Sequence, residues 1–132
     1  MKRSVEQEAI VATGRFEFHQ LPEPFRKGSI PMYSDEADHS AGGGGGTAGS
    51  VDELLKALGN QVGLPVVNET EPAAPMRIGY HHYRSSYLNR ITDPTEKTRK
   101  LKMLLENLST QTGLQFRVER RSVEKWLVIE AR

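Results

Sequence analysis

Residues 93–129 read DPTEKTRKLKMLLENLSTQTGLQFRVERRSVEKWLVI, and this stretch decides the fold. Asp93 and Glu96 have capping-box spacing, and Pro94 falls at the first helical position, where its missing N–H costs nothing. Leu101, Leu104, Leu105 and Leu108 recur at helical spacing, so the helix has one side to bury. Gly113 offers the left-handed backbone that ends a helix. Leu114, Phe116 and Val118 then alternate with Gln115, Arg117 and Glu119, the pattern of a half-buried strand. Arg120, Arg121 and Ser122 read as a turn, and Trp126 to Ile129 as an apolar strand with neighbours on both sides. The unit is helix, strand, strand. No reaction is written in it.

Fifty residues earlier the signature recurs. Leu54, Leu55, Leu58, Gln61, Gly63 and Leu64 match Leu104, Leu105, Leu108, Gln111, Gly113 and Leu114 at a constant offset. Ser50 and Glu53 form a second capping box, and Val51, Leu54, Leu55, Leu58 and Val62 make its apolar stripe. Strands are expected at 64–68 and 76–83, separated by Glu71-Pro72-Ala73-Ala74-Pro75, which cannot be regular structure. Two copies cannot fill and cap a solenoid. The expectation is an α+β fold: helices at 51–62 and 94–112 on one face of a mainly antiparallel sheet from 64–68, 76–83, 114–120 and 124–130.

The 132 residues hold no long apolar run, which fits one soluble domain without membrane insertion. Cysteine is absent, so disulfides and thiolate chemistry are excluded. Met1-Lys2-Arg3-Ser4 has a basic pair with no apolar stretch behind it, so this chain carries no recognisable signal peptide. The net charge of +1 divides into −2 over residues 1–49 and +3 over 50–132. A dedicated nucleic-acid binder is far more basic over its contacting domain, so the balance argues against that class.

Residues 1–49 read as an N-terminal arm ahead of a core domain at 50–132. Within the arm, 1–13 is polar with weak helical character around Val5 to Val11, and Arg15 to Leu21 alternates like a strand that joins the sheet near Phe16 and Phe18. Ile30 to Tyr33 is a short strand suited to an edge because of Pro31. The acidic then glycine-rich run up to Ser50, with Gly42 to Gly46 at its centre, reads as a mobile linker.

Gly44 and Gly49 have phosphate-loop spacing, but the lysine that should precede the Ser50 position is missing. His81 and His82 are adjacent on a strand, so they point to opposite faces and do not chelate one ion; neither a metal nor a cofactor is expected. Nucleophile elbows, zinc-protease motifs and paired strand-end carboxylates are absent from the sequence, so no catalytic residue is assigned and an enzyme is not expected. With Met76, Ile78 and Tyr80 turned inward, Arg77, His81 and Tyr83 face outward with Tyr87 just beyond, a candidate partner-binding patch. The strand also shares the order and part of the pattern of an aromatic RNA-recognition strand, through Arg77-Ile78-Gly79-Tyr80.

Val51 to Thr70 and Tyr80 to Glu130 resemble the C-terminal part of the soil-associated bacterial proteins, a family of unknown function. The residues that carry this are Leu54-Leu55, Leu58, Gln61, Gly63-Leu64-Pro65-Val66-Val67 and Thr70, the aromatic strand Tyr80 to Tyr83, Leu104-Leu105, Leu108, Gln111, Gly113-Leu114 and Val123 to Ile129. Asn68 stands where that family has Asp, and Glu71-Pro72 where Gly is expected. The pattern is also similar to the short N-terminal domain of secretins and TonB-dependent receptors. Both resemblances imply a bacterial envelope or extracytoplasmic setting and a binding or assembly role as one module of a larger chain, with a protein partner or neighbouring domain. Neither implies catalytic residues. The competing classes are a single-stranded nucleic-acid binder and a small enzyme with an unrecognised site.

Overall fold

The computed structural model describes residues 2–22, 27–34, 44–82, 88 and 91–126. Its elements run β1 (Lys2–Gly14), β2 (Ser29–Met32), β3 (Gly45–Ala48), α1 (Val51–Val62), β4 (Val66–Thr70), β5 (Ile78–His82), α2 (Pro94–Thr112) and β6 (Gln115–Trp126). The class is α+β.

Both helices form where their caps and stripes place them. At α1 the Ser50 hydroxyl accepts from the Glu53 amide at 3.1 Å, and the Glu53 carboxylate accepts in return from the Gly49 amide. At α2 the Asp93 carboxylate accepts from the Thr95 amide at 3.1 Å, ahead of Pro94, while Glu96 pairs with Arg99. Gly63 (φ 77°) and Gly113 (φ 70°) close the two helices in the left-handed region, each amide bonding a carbonyl one turn back, at Gly59 and Ser109.

The single sheet expected from the sequence is two sheets of three strands, in the orders β4-β1-β6 and β2-β5-β3. In the first, β1 runs parallel to β4 and antiparallel to β6; in the second, β5 runs parallel to β2 and antiparallel to β3. Each helix leads from a strand of the second sheet to a strand of the first: β3 through α1 to β4, and β5 through α2 to β6. The unit is thus strand–helix–strand, and the strand near 76–83 precedes the second helix instead of completing the first unit. This routing obliges each helix to touch both sheets, α1 at β3 and β4, α2 at β2 and β6. The helices lie against both sheets, and the larger core cluster runs from Ile10 through Leu54, Leu58, Leu104 and Leu108 to Ile30 and Met32, beside a smaller one of Ala12, Val51, Leu55 and Leu114.

The N-terminal region departs most from expectation. Residues 2–14, expected as a polar arm of weak helical character, are the central strand of the first sheet. Ala9, Ile10, Val11 and Ala12 are all fully buried, because β1 has a neighbour on each side and side chains over both faces. Arg15 to Leu21 is not a strand; Phe16 and Phe18 pack on the core while the Glu17 and His19 amides donate to the carbonyls of Thr112 and Gln111. Residues 44–46 are not linker either: Gly45 and Gly46 pair with His81 and Tyr80 in β3. A Cβ on Gly46 would stand 2.7 Å from the Tyr80 hydroxyl, so glycine is what lets the ring lie across the strand. Residues 42–43 lie outside the described residues. β2 is an edge strand, as Pro31 requires. The turn expected at Arg120 to Ser122 is continuous strand, and of the strand expected at 124–130 only the part to Trp126 is described, as the end of β6.

Candidate functional site

The Arg77, His81, Tyr83 and Tyr87 patch divides on inspection. Arg77 is exposed just before β5 and His81 is half-buried on it; Tyr83 and Tyr87 lie outside the described residues. β5 is the middle strand of its sheet, paired on both sides, so it has no edge with which to accept an added strand. Tyr80 packs on the core, with its ring centroid 5.3 Å from that of His82, so it does not present a stacking face of the RNA-recognition kind. Burial, and then the neighbouring His81, push the pKa of His82 down. The start of α1, where a phosphate would sit, has its Gly49 and Glu53 amides bonded to Glu53 and Ser50 side chains. Among the described residues no group of three or more His, Cys, Asp or Glu could hold a metal ion, and no helix is long and apolar enough to cross a membrane.

The more telling surface lies at β6, an outer strand among the described residues and, at 12 residues, much the longest at a sheet edge there. Its two faces are built differently. On the outer face Arg117, Glu119 and Arg121 join Glu69 of β4 in a lattice: Arg117 Nε donates to Glu119 at 2.7 Å, Arg121 Nη1 to Glu69 at 2.8 Å, and Arg121 Nε to Glu119 as well. Hydrogen bonds from these guanidiniums hold Glu69 and Glu119 below the ordinary carboxylate range, and raise the already high pKa of Arg121. By register Arg117 stands over Val11 and Glu119 over Ala9, both fully buried, so the arginine stems roof the apolar centre of the sheet. These cations are matched by carboxylates, which leaves little for a phosphate backbone to attract.

The inner face of β6 is apolar at Phe116 and Val118, ahead of the exposed Arg120, and is incompletely covered. Phe116 and Val118 point the same way as Ile10 and Ala12, toward α2. Between β6 and α2 runs a groove of about 510 Å³, floored by Leu101, Leu105, Phe116 and Val118, with Lys102 and Glu106 on its helical rim. Val118 is 41% exposed, the one large hydrophobic residue so exposed among those described. A second groove of about 550 Å³ lies between α1 and Leu64, Pro65 and Val66. Sequence reading found the apolar alternation of β6 but not this site, because alternation alone marks Val118 as core; only the position of α2 leaves it bare.

No family model, curated protein or solved structure matches the chain.

Proposed function

We propose that this chain is a non-catalytic binding or assembly module that takes an additional strand along the outer edge of β6. The observation that carries the reading is the coincidence of a long edge strand with an apolar groove beside it. Main-chain hydrogen bonds give such an edge affinity, and alternate side chains entering the groove give it selectivity. The likeness of the Leu54 to Thr70 and Leu104 to Ile129 patterns to the soil-associated and secretin/TonB short N-terminal domains supports a place in a larger bacterial envelope-associated protein.

The test is a displayed library of extended eight-residue peptides, with hits mapped by amide shifts on the labelled protein. The reading expects hits that shift residues 115–119 and the Leu101 and Leu105 methyls, and that bind Val118→Lys at least about tenfold more weakly, the scale of a lost buried apolar side chain. Hits that map to β4 or to sheet β2-β5-β3, or a library without binders tighter than millimolar, would overturn it.

A further inference from the structure

The strand that β6 is built to accept can be named from its own sequence. We infer that it is β6 of a second copy, paired antiparallel about a two-fold axis through Val118; this rests on the reading of β6 as a strand-accepting edge.

In an antiparallel two-fold pair the partners of residue 118 are symmetric about it, and directly opposed side chains share a face. Centred on Val118, the register sets Val118 against the partner's Val118, Arg117 against the partner's Glu119, and Glu119 against the partner's Arg117. Gln115 then faces the partner's Arg121, and Phe116 the partner's Arg120. The directly opposed charges in this span are therefore of opposite sign, and the exposed valine buries itself. Shifting the centre to Glu119 would set Arg117 against the partner's Arg121, and centring on Arg121 would set Arg117 against the partner's Lys125.

The geometry of the faces agrees with the charges. An axis normal to the sheet keeps both helix layers on one side, so the two sheets become one of six strands, β4-β1-β6 followed by its mirror order. The Val118 side chains meet on the inner side, where each borders the groove beside α2, and the two grooves join across the axis. The ion pairs form on the opposite side, where Arg117 and Glu119 are 50% and 33% exposed and exchange part of their pairing within the chain for the same pairing across the axis. A pairing this short is at the small end of specific interfaces, so association in the micromolar range is expected.

Sedimentation across roughly 1–500 µM, bracketing that micromolar range, tests the inference. The wild type should approach twice the 14.8 kDa chain mass, and Val118→Lys, which touches none of the ion pairs, should stay at the chain mass with unchanged circular dichroism. Arg117→Glu and Glu119→Arg should each dimerise at least about tenfold more weakly alone, the cost of opposed like charges, yet pair with each other when mixed, because the mixture restores both opposite-sign contacts. Since the chain has no cysteine, Val118→Cys should cross-link as a dimer on mild oxidation while Asn68→Cys should not. A wild type that stays monomeric throughout would overturn self-pairing; peptide binding at residues 115–119 would then still uphold the edge, and its absence would remove both. A dimer that survives Val118→Lys, or single variants that fail to pair on mixing while Val118→Cys fails to cross-link, would also overturn it.

Discussion

The two grooves occupy matching places in the chain and have opposite characters. One lies between α1 and Leu64 to Val66, the other between α2 and Gln115 to Val118, so that Leu55, Gly59 and Val66 correspond to Leu105, Ser109 and Phe116. Fifty residues before Val118 stands Asn68, also on the inner face but at the opposite edge of the same sheet. Asn68 is occupied: its carbonyl oxygen accepts from the Thr70 amide and hydroxyl at 3.0 and 2.6 Å, and its amide donates to Asp52 at 3.5 Å. β4 ends after 5 residues and carries this polar residue where β6 carries a bare valine. Short, polar edges are how sheets avoid adventitious pairing. One edge is thus closed and the other open, and the difference makes a pair of chains possible where two open edges would make a filament.

The comparison can be broken at the helices first. A Cβ on Gly59 would lie 2.8 Å from the Leu64 carbonyl oxygen, whereas at the corresponding Ser109 the hydroxyl donates to the Leu114 carbonyl at 2.6 Å. Gly59→Ser should therefore lower unfolding free energy in urea by about 1–3 kcal/mol through overpacking against backbone, despite its better helix propensity. The reciprocal Ser109→Gly should cost about 1–2 kcal/mol, from the lost hydrogen bond and the added backbone freedom. Asn68→Val should change stability by less than about 1 kcal/mol. Its effect should appear in light scattering instead, as species larger than a dimer, because both edges of the sheet would then be apolar.

The smallest effect concerns His82, far from both grooves. Its folded pKa lies below the unfolded value near 6.5, so its contribution is fully present above that value and is lost as pH falls toward the folded pKa. Urea midpoints should decline as pH drops below about 6.5, and His82→Phe should flatten that decline in its upper part. The carboxylates Glu69 and Glu119, also depressed, act only at lower pH, where stability is lost as each is protonated.

Both helices were legible because caps and stripes are local. Ser50, Glu53, Asp93, Pro94, Gly63 and Gly113 each act within one turn of themselves, and the structure places them as their spacing requires. β1 was not legible for the opposite reason. Glu6, Gln7, Glu8 and Ala9 are good helix formers, and only pairing with Ser122 to Glu119 of β6, at the far end of the sequence, makes them extended. Arg120, Arg121 and Ser122 read as a turn by polarity, yet no glycine, proline or asparagine forces one, and the Arg121 to Glu69 contact rewards continuing straight. The candidate site needed both failures repaired. An edge is defined by what lies beside it, which alternation within one strand does not record.

The pairing of Lys2 with Trp126 also sets a schedule for biosynthesis. The strand at the centre of the first sheet emerges from the ribosome before the other described strands, and its antiparallel neighbour emerges after them. At about 5–20 residues per second, β1 waits roughly 6–25 s for β6, holding the Ala9 to Ala12 apolar run without that neighbour. β4 arrives within that interval and can pair with Ile10 to Gly14, but Lys2 to Ala9 has no strand partner but β6 among the described residues. The nascent chain is therefore open to errant strand capture along Lys2 to Ala9, and a holding chaperone should act there before β6 closes the sheet.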